Sequence, residues 1–476
     1  MPTPTTGSST SKVAFTGDPL IDGLIVGRKW GGGLGTGFSI TYSFPDFDSR
    51  WSTDPNRGYD SPDSIWEPWD EEYRGLDNTE QNAVRVAMQA WGAVANVNPV
   101  ETADNATVVG DIRIAFTTGG TMDADTYAYA YTPLSNTPYA GDVWLNPFPP
   151  VDTGNDFSVG AAGYSTLIHE LGHALGLDHP FDHNDPSLDL PAQYDTFKYT
   201  VMSYSDRPGH IDTGYSSFYP TTPMLLDIQA LQYLYGANMT YHTGNDVYMF
   251  QQGEDYYQTI WDAGGGDTIR YNATTDGALI DLRAGKFSQL GNPITLSDGS
   301  LQHDNVAIAY GVTIEKGCGG GGRDTIIGNH RSNVLKGNGG DDTLQGGVGN
   351  DKLFGGGGDD RLKGGSGNDG FWFNAPLNDS GNVDRITDFA VADDTIRLDN
   401  DVFDAFATAN VALSAGAFHG APGATEAHDA NDRIVYDRNT GNLYYDPDGT
   451  EVAEVTLFAT LTGAPSITAA DFFIVG

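Results

Sequence analysis

Residues 169–179 read His-Glu-Leu-Gly-His-Ala-Leu-Gly-Leu-Asp-His. His169 and His173 are four residues apart, so a helix carries both imidazoles on one face. Two neutral imidazoles at that spacing can share a zinc ion. Glu170 lies one residue on, beside the metal rather than on it. Gly176 can take the left-handed conformation that ends a helix and turns the chain back. His179 then reaches the same ion as a third ligand. Three protein ligands leave one position open for water, which marks a catalytic rather than a structural zinc. The extended pattern H-E-x-x-H-x-x-G-x-x-H is far more specific than its first five residues alone.

The elements around this helix, itself predicted over about 161–175, point to a mixed α+β domain. Residues 38–44 alternate with period two and predict a strand. Val84, Ala87, Met88, Trp91 and Val94 recur at helical spacing and predict a helix over 79–97, with Thr79 as its N-cap. Strands are predicted over 111–117, 127–131 and 142–145. A third helix begins after Thr222-Pro223 and stops near Gly236. Gly33-Leu-Gly-Thr-Gly37 lacks the strand-to-helix context of a dinucleotide loop and reads as a flexible turn. Gly163-Tyr-Ser-Thr-Leu167 lacks the second glycine of a nucleophile elbow. Beyond Asn238 no long helical period occurs, and short apolar runs alternate with turn residues. The domain boundary is placed there.

Residues 319–372 are six consecutive nine-residue units. They read GGGGRDTII, GNHRSNVLK, GNGGDDTLQ, GGVGNDKLF, GGGGDDRLK and GGSGNDGFW. The sixth position holds Asp324, Asn333, Asp342, Asp351, Asp360 and Asp369. The eighth holds Ile326, Leu335, Leu344, Leu353, Leu362 and Phe371. This is the pattern of a calcium-binding parallel β-roll. Glycine permits the turn and exposes backbone carbonyls, while aspartate adds hard oxygen ligands for Ca²⁺. The apolar eighth position points inward. The second unit has Arg331 and Asn333 where Gly and Asp are the rule, so its calcium site is expected to be weak or missing.

The chain has 476 residues and a formal net charge of −40. Such a surface repels nucleic acid and anionic lipid. The nonapeptides carry seven acids and six bases, so they do not account for that charge. One cysteine, Cys318, excludes a disulfide framework, a C-x-x-C metal site and a cysteine switch on an N-terminal Cys. No stretch of about 18 apolar residues occurs, so no transmembrane helix is expected. The first residues lack the basic and apolar regions of an ordinary signal peptide.

These residues together resemble the metzincin endopeptidases and, among them, the serralysins. Pro180 follows the third histidine, and Val201-Met202-Ser203-Tyr204 matches the Met-turn with its tyrosine. The likeness continues through Thr222–Ile228, Leu234–Thr240, Trp261-Asp262-Ala263-Gly264-Gly265 and the nonapeptides, and spans roughly residues 38–476. It implies an α+β metzincin-like zinc protease domain over 38–238. An all-β parallel β-roll / β-sandwich domain over 239–476 would follow. Residues 1–37 are expected to be a flexible segment with an autocatalytic cut in the first few dozen residues. By resemblance Met202 forms the floor beneath the zinc. Tyr204 is a movable fifth ligand that leaves the metal and stabilises the oxyanion. The resemblance also implies calcium ligands at Gly244, Asp246, Asp262, Gly264 and Asp267, and at Asp388 and Asp394 after the last repeat. Asp246 stands where Thr is common, and His242 where Arg is common. Phe181 stands where Gly is common and Ser205 where Trp is common, both near the expected cleft.

The reaction expected is hydrolysis of internal peptide bonds in protein or peptide substrates, with broad specificity. Glu170 would act as general base, and the edge strand near Tyr127–Tyr131 would pair with extended substrate. The cofactors expected are one zinc and several calcium ions. The tail Asp471-Phe-Phe-Ile-Val-Gly476 resembles the C-terminal signal of type I secretion substrates, and a final β-strand is the alternative reading. A secreted, extracellular monomer exported by a type I apparatus, with no nucleic-acid partner and no membrane insertion, is the expectation. The competing hypothesis is a calcium-binding surface or adhesion protein with narrow or lost protease activity.

Overall fold

The computed structural model describes residues 8–46, 49–52, 59, 73–118, 122, 125–134, 137–149, 155–181, 183, 185–209, 216–378, 381–450 and 453–476. The chain divides into two units. The first takes Met1–Tyr241, Asp255–Ala263 and Pro293–Tyr310, and the second takes His242–Glu254, Gly264–Asn292 and Gly311–Gly476. The chain therefore re-enters the first unit twice after the boundary placed near residue 238. The short pairs that do this, Gln258–Ile260 with Val306–Ile308 and Ile294–Thr295 with Leu301–Gln302, carry no distinctive sequence signal.

The first unit is built on a five-stranded sheet. Its order is Val97–Glu101, Phe38–Ser43, Ile112–Phe116, Val143–Leu145, Ala128–Ala130. All pairings are parallel except the last, which leaves Ala128–Ala130 as an antiparallel edge strand. The expected helix over 79–97 ran into the first residue of Val97–Glu101, and residues 98–101 were not expected to be a strand. Asn98 and Pro99 hide the strand, because proline donates no ladder hydrogen bond and is tolerated here at an edge.

The helices, in chain order, are α1 (Pro19–Asp22), α2 (Asn78–Val94), α3 (Ala162–Leu175) and α4 (Leu225–Tyr235). The N-cap of α2 is Asp77, not Thr79. The Asp77 carboxylate accepts the N–H groups of Thr79 and Glu80, and Glu80 reaches back to the Asp77 N–H. This capping box competes better than a lone threonine. Buried Trp91 of α2 donates its indole N–H to the Ile168 carbonyl of α3 at 3.2 Å.

Residues 1–37 were expected to be flexible. From residue 8 onward they are instead built into the unit. Thr10–Lys12 pairs antiparallel with Arg28–Trp30. The Val26 N–H donates to the Gly176 carbonyl at 3.1 Å, and the Asp178 N–H donates to the Leu24 carbonyl at 3.0 Å. The turn Gly33–Gly37 is likewise not free. It wraps the ammonium of fully buried Lys29, which donates to the carbonyls of Gly32, Gly33 and Thr36 at 3.1–3.2 Å and lies 4.7 Å from the Tyr235 ring. A buried ammonium must be compensated, and glycine-rich backbone supplies the carbonyls.

The second unit carries two nine-stranded sheets. Successive nonapeptides alternate between them. Val334–Gly339, Lys352–Gly357 and Gly370–Phe373 lie in one, and Thr325–Ile327, Thr343–Val348 and Arg361–Ser366 in the other. Parallel partners are 18 residues apart, two units per coil, as in Leu335↔Leu353 and Leu344↔Leu362. Ile326, Leu335, Leu344, Leu353, Leu362 and Phe371 are all fully buried between the sheets. The apolar eighth position thus forms a continuous stack that no single repeat could bury alone. The tail Phe472–Val475 is a strand paired parallel to Thr395–Asp399. Among the described residues no helix is long and apolar enough to cross a membrane.

Candidate metal centre

The helix α3 places His169 and His173 on its buried face. Gly176, at φ 107°, caps the helix in the left-handed conformation, and its N–H reaches the carbonyls of Gly172 and His173. A side chain there would strain the backbone and meet the Arg28 carbonyl. The chain then turns and delivers His179. The three Nε2 atoms lie 3.0, 3.1 and 3.2 Å from one another.

That convergence says what the site can hold. His169 Nδ1 lies 2.8 Å from the Val201 carbonyl, and His173 Nδ1 lies 3.0 Å from the Leu177 carbonyl. A carbonyl only accepts, so both Nδ1 atoms carry the proton and both Nε2 atoms present lone pairs. Burial keeps both rings neutral, lowering His173 to about 4 and His169 well below the usual imidazole value. Two bare lone pairs 3.1 Å apart repel unless a cation lies between them. The donor set therefore fits a zinc ion held by His169, His173 and His179. The backbone carbonyls act as outer partners that fix each ring.

Glu170 is buried beside this cluster, and its Oε2 has no hydrogen-bond partner. Burial pushes its carboxyl up to about 8. The Tyr204 hydroxyl lies 2.7 Å from His179 Nε2, and its ring stacks on His169 with centroids 5.4 Å apart. Burial, then the charge of Glu170, raises its phenol. Met202 is fully buried, and a Cβ at Gly172 would stand 2.6 Å from its Sδ. Glycine in the middle of a helix costs stability. Here it admits the methionine.

Four further residues shape the centre. The Phe181 ring stacks on His179 with centroids 5.3 Å apart and planes at 15°, and also packs on Tyr204. The residue noted in the sequence as a departure thus bears directly on His179. Asp227, fully buried on α4, accepts the Thr200 hydroxyl at 2.5 Å and the N–H groups of Val201 and Met224 at 2.8 Å each. One carboxylate thereby joins the start of α4 to the turn holding Met202. Trp30 donates its indole N–H to the Ala174 carbonyl at 2.8 Å, and the Tyr235 hydroxyl donates to the Leu175 carbonyl at 2.8 Å. These two bonds satisfy the open carbonyls at the end of α3. An acid three residues past an N-cap is a sequence signal that points to Asp227. Nothing local points to Trp30.

In the second unit, each repeat aspartate accepts a backbone N–H from the coil before it. Asp324 N–H reaches Asp342 Oδ1 at 2.7 Å, Asn333 N–H reaches Asp351 Oδ1 at 2.7 Å, Asp342 N–H reaches Asp360 Oδ1 at 2.8 Å and Asp351 N–H reaches Asp369 Oδ1 at 2.9 Å. The Oδ2 atoms of Asp342, Asp351, Asp360 and Asp369 are buried without a partner. A Cβ at Gly337, Gly346, Gly355 or Gly364 would collide with the respective Oδ2. The glycines thus keep a space open at each orphaned oxygen. Asn333 behaves differently. Its amide donates to the carbonyls of Ile314 and Glu315. Asp324 also differs, with both oxygens taken by the N–H groups of Gly320 and Ala278. Asp388 accepts from Gly364 and Gly365, and Asp394 from Asp369 and Ala390. Gly244, Asp246, Gly264 and Asp267 belong to the second unit and Asp262 to the first. Asp267 Oδ1 accepts the Asp246 N–H at 2.8 Å.

Fold and site together define a metzincin-type zinc protein: a mixed sheet, a helix with two histidines, a glycine turn and a third histidine, followed by a β-roll. The family model described as Matrixin matches residues 69–199, and that described as Peptidase M10 serralysin C terminal matches residues 226–474. The chain belongs to the serralysin family of M10 peptidases. Membership implies zinc as the metal of the three-histidine cluster. A serralysin from Photorhabdus laumondii is 35% identical over 300 residues, covering 58% of this chain and 58% of its own. A serralysin from Proteus mirabilis is 35% identical over 332 residues, covering 63% and 62%. The match thus spans about three-fifths of the length of these curated relatives. The solution structure of the AlgE6R3 subunit of an Azotobacter vinelandii mannuronan C5-epimerase matches 34% of this chain and 81% of its own, with 25% identity and a TM-score of 0.21.

Proposed function

We propose that this chain is a secreted zinc-dependent endopeptidase that hydrolyses internal peptide bonds of proteins and is stabilised by several calcium ions. The observation that carries the reading is the meeting of three imidazole nitrogens at 3.0–3.2 Å, two of them with Nδ1 protons committed to carbonyls. His169, His173 and His179 would hold the zinc. Bound there, it is a Lewis acid that polarises a carbonyl and acidifies water.

The remaining chemistry belongs to the chain. Glu170 Oε2, buried and without a partner, accepts the proton of the attacking water and returns it to the leaving amine. A carboxyl in an apolar surrounding is suited to both halves of that transfer, because burial narrows the gap between its charged and neutral forms. The Tyr204 hydroxyl donates to the oxyanion that develops on the scissile carbonyl. Ala128–Ala130 has an outer edge on which an extended peptide can add as a further strand, and backbone pairing tolerates many side chains. Met202, lying against Gly172, holds the base of the site.

Asp342, Asp351, Asp360 and Asp369 supply calcium ligands between coils, and Asp388 and Asp394 extend the series past the last repeat. Asn333 fills its own site with amide hydrogen bonds and leaves that position without calcium. Empty in a low-calcium cytosol and filled outside, such sites would draw folding forward after export. The natural targets are proteins or peptides, and the −40 charge fits neither nucleic acid nor an anionic membrane.

The test is casein hydrolysis in millimolar calcium by wild type and Glu170→Gln, with zinc content measured in both. Wild type is expected to cleave. The variant should keep its zinc and lose about 10²–10⁴-fold in rate. A folded, zinc-loaded wild type that cleaves nothing would sink the endopeptidase reading and leave a binding role for the second unit.

A further inference from the structure

A second cluster of metal-ligating side chains lies in the second unit, far along the chain from the three histidines of α3. His419, His428 and Asp432 each offer one ligand atom, and these atoms lie within 4.8 Å of one another. His419 stands on Phe418–Ala421, the last strand of its nine-stranded sheet. That strand pairs parallel with Ile434–Asp437, so the segment 428–432 runs directly into its neighbour.

Asp432 is buried, at 4% exposure. It is already oriented: Oδ2 accepts the N–H groups of His428 and Asp429 at 2.8 and 2.9 Å. The turn is fixed from outside as well, since a Cβ at Gly449 would come within 2.9 Å of the Ala430 Cα. The rings of His419 and His428 lie parallel, with centroids 5.1 Å apart and planes at 13°. Beside the fixed carboxylate, the two rings can present two nitrogen lone pairs to one ion. The His428 side chain is 70% exposed, so it can rotate to close the remaining distance. Asp429 Oδ2 lies 3.9 Å from His428 Nδ1 and adds a second negative charge.

We propose that His419, His428 and Asp432 form a separate site for a first-row divalent transition ion. Two imidazoles select zinc, nickel or copper over calcium, which takes oxygen ligands. Three protein ligands, with His428 exposed, leave the remaining positions to water. The ion would tie the edge strand at 419 to the turn at 428 and close the short loop between them. This is a role in stabilising the end of the sheet, distinct from the carboxylate sites of the repeats. Pinning an edge strand also protects it from pairing with another chain.

The test is Zn²⁺ binding to the full-length protein, with α3 already loaded and millimolar calcium present throughout. Titration by calorimetry or equilibrium dialysis compares wild type with H419A, H428A, D432N and H419A/H428A. Wild type should bind one equivalent beyond that of H419A/H428A, and H428A alone should weaken that equivalent at least tenfold. Cu²⁺ substituted into the site should show nitrogen couplings by electron paramagnetic resonance that H419A/H428A lacks. His428 is exposed, so H428A keeps the fold and circular dichroism checks it. Equal zinc uptake by wild type and H419A/H428A overturns the proposal. So does a second equivalent that survives in both H428A and H419A/H428A. Failure of the three-histidine site would lower every variant equally and leave the difference intact.

Discussion

Chelating calcium should reverse the pH dependence of the β-roll. In the metal-free protein burial pushes the Asp342 carboxyl to about 8, Asp360 to about 7 and Asp351 to about 6, from an ordinary 3.8. A carboxyl whose folded value lies above its unfolded value holds its proton more tightly when folded. Its contribution to stability is complete below about pH 4 and is lost as pH rises through 6 to 8. Neighbouring repeats titrate together, so the full shifts do not add. One effective pK unit for each of the three is still about 4 kcal/mol, against a total stability of about 5–15 kcal/mol for a domain. With a chelator present, the repeats should therefore be protected at pH 5 and open at pH 8. With millimolar calcium the order reverses, because protons compete with the ion for the same oxygens. Hydrogen exchange of peptides covering 334–373, followed by mass spectrometry, reads this directly in the intact chain. Asp360→Asn should flatten the dependence in the chelated protein and weaken the calcium effect. Protection that is flat or rises from pH 5 to 8 without calcium would refute the reasoning.

The centre on α3 yields further expectations. Tyr204→Phe removes one oxyanion donor and should lower kcat about 10²-fold with little change in KM, measured on a peptide substrate. Trp30→Ala leaves the Ala174 carbonyl open and empties a large buried volume, so urea unfolding should show a loss of about 3–5 kcal/mol and zinc should dissociate faster. Asp227→Ala strands the donors of Thr200, Val201 and Met224, at about 1–3 kcal/mol in thermal unfolding for each buried group left open. Burial holds the Asp227 carboxyl at about 7, so this contribution is present in acid and declines as pH rises towards 7. Asp227→Asn, whose single oxygen can still accept the Val201 and Met224 N–H groups but not the Thr200 hydroxyl as well, should remove that slope.

The parts legible in the sequence are those with a short period. Histidines four apart share a helix face whatever surrounds them, and Gly176 announces the turn to His179. A nine-residue repeat with an apolar eighth position becomes a stack of coils because each unit can bury that side chain only against its neighbours. The helix at 161–175, the strands at 38–44, 111–117 and 142–145, and the helix after Pro223 were readable for the same reason. The boundary errors have local causes. Asp77 outcompetes Thr79 as a cap through Glu80, and Pro99 disguises an edge strand. Residues 8–37 misled because Pro, Ser, Thr and Gly say nothing of distant partners, while residues 1–7 lie outside the described residues. Lys29 gathers the carbonyls of a glycine loop, and Trp30 caps a helix 144 residues away.

The sequence by itself determined the three-histidine cluster and the roll, since each is written in spacing that backbone geometry converts directly into shared faces. Only the tertiary structure decided how the ligands are held. The carbonyls of Val201 and Leu177 choose the tautomers, Phe181 stacks on His179, and Asp227 joins two segments that the chain keeps apart. It also brought His419 beside His428 and Asp432. These contacts depend on the packing of distant elements, and side-chain distance across a fold has no period along the chain.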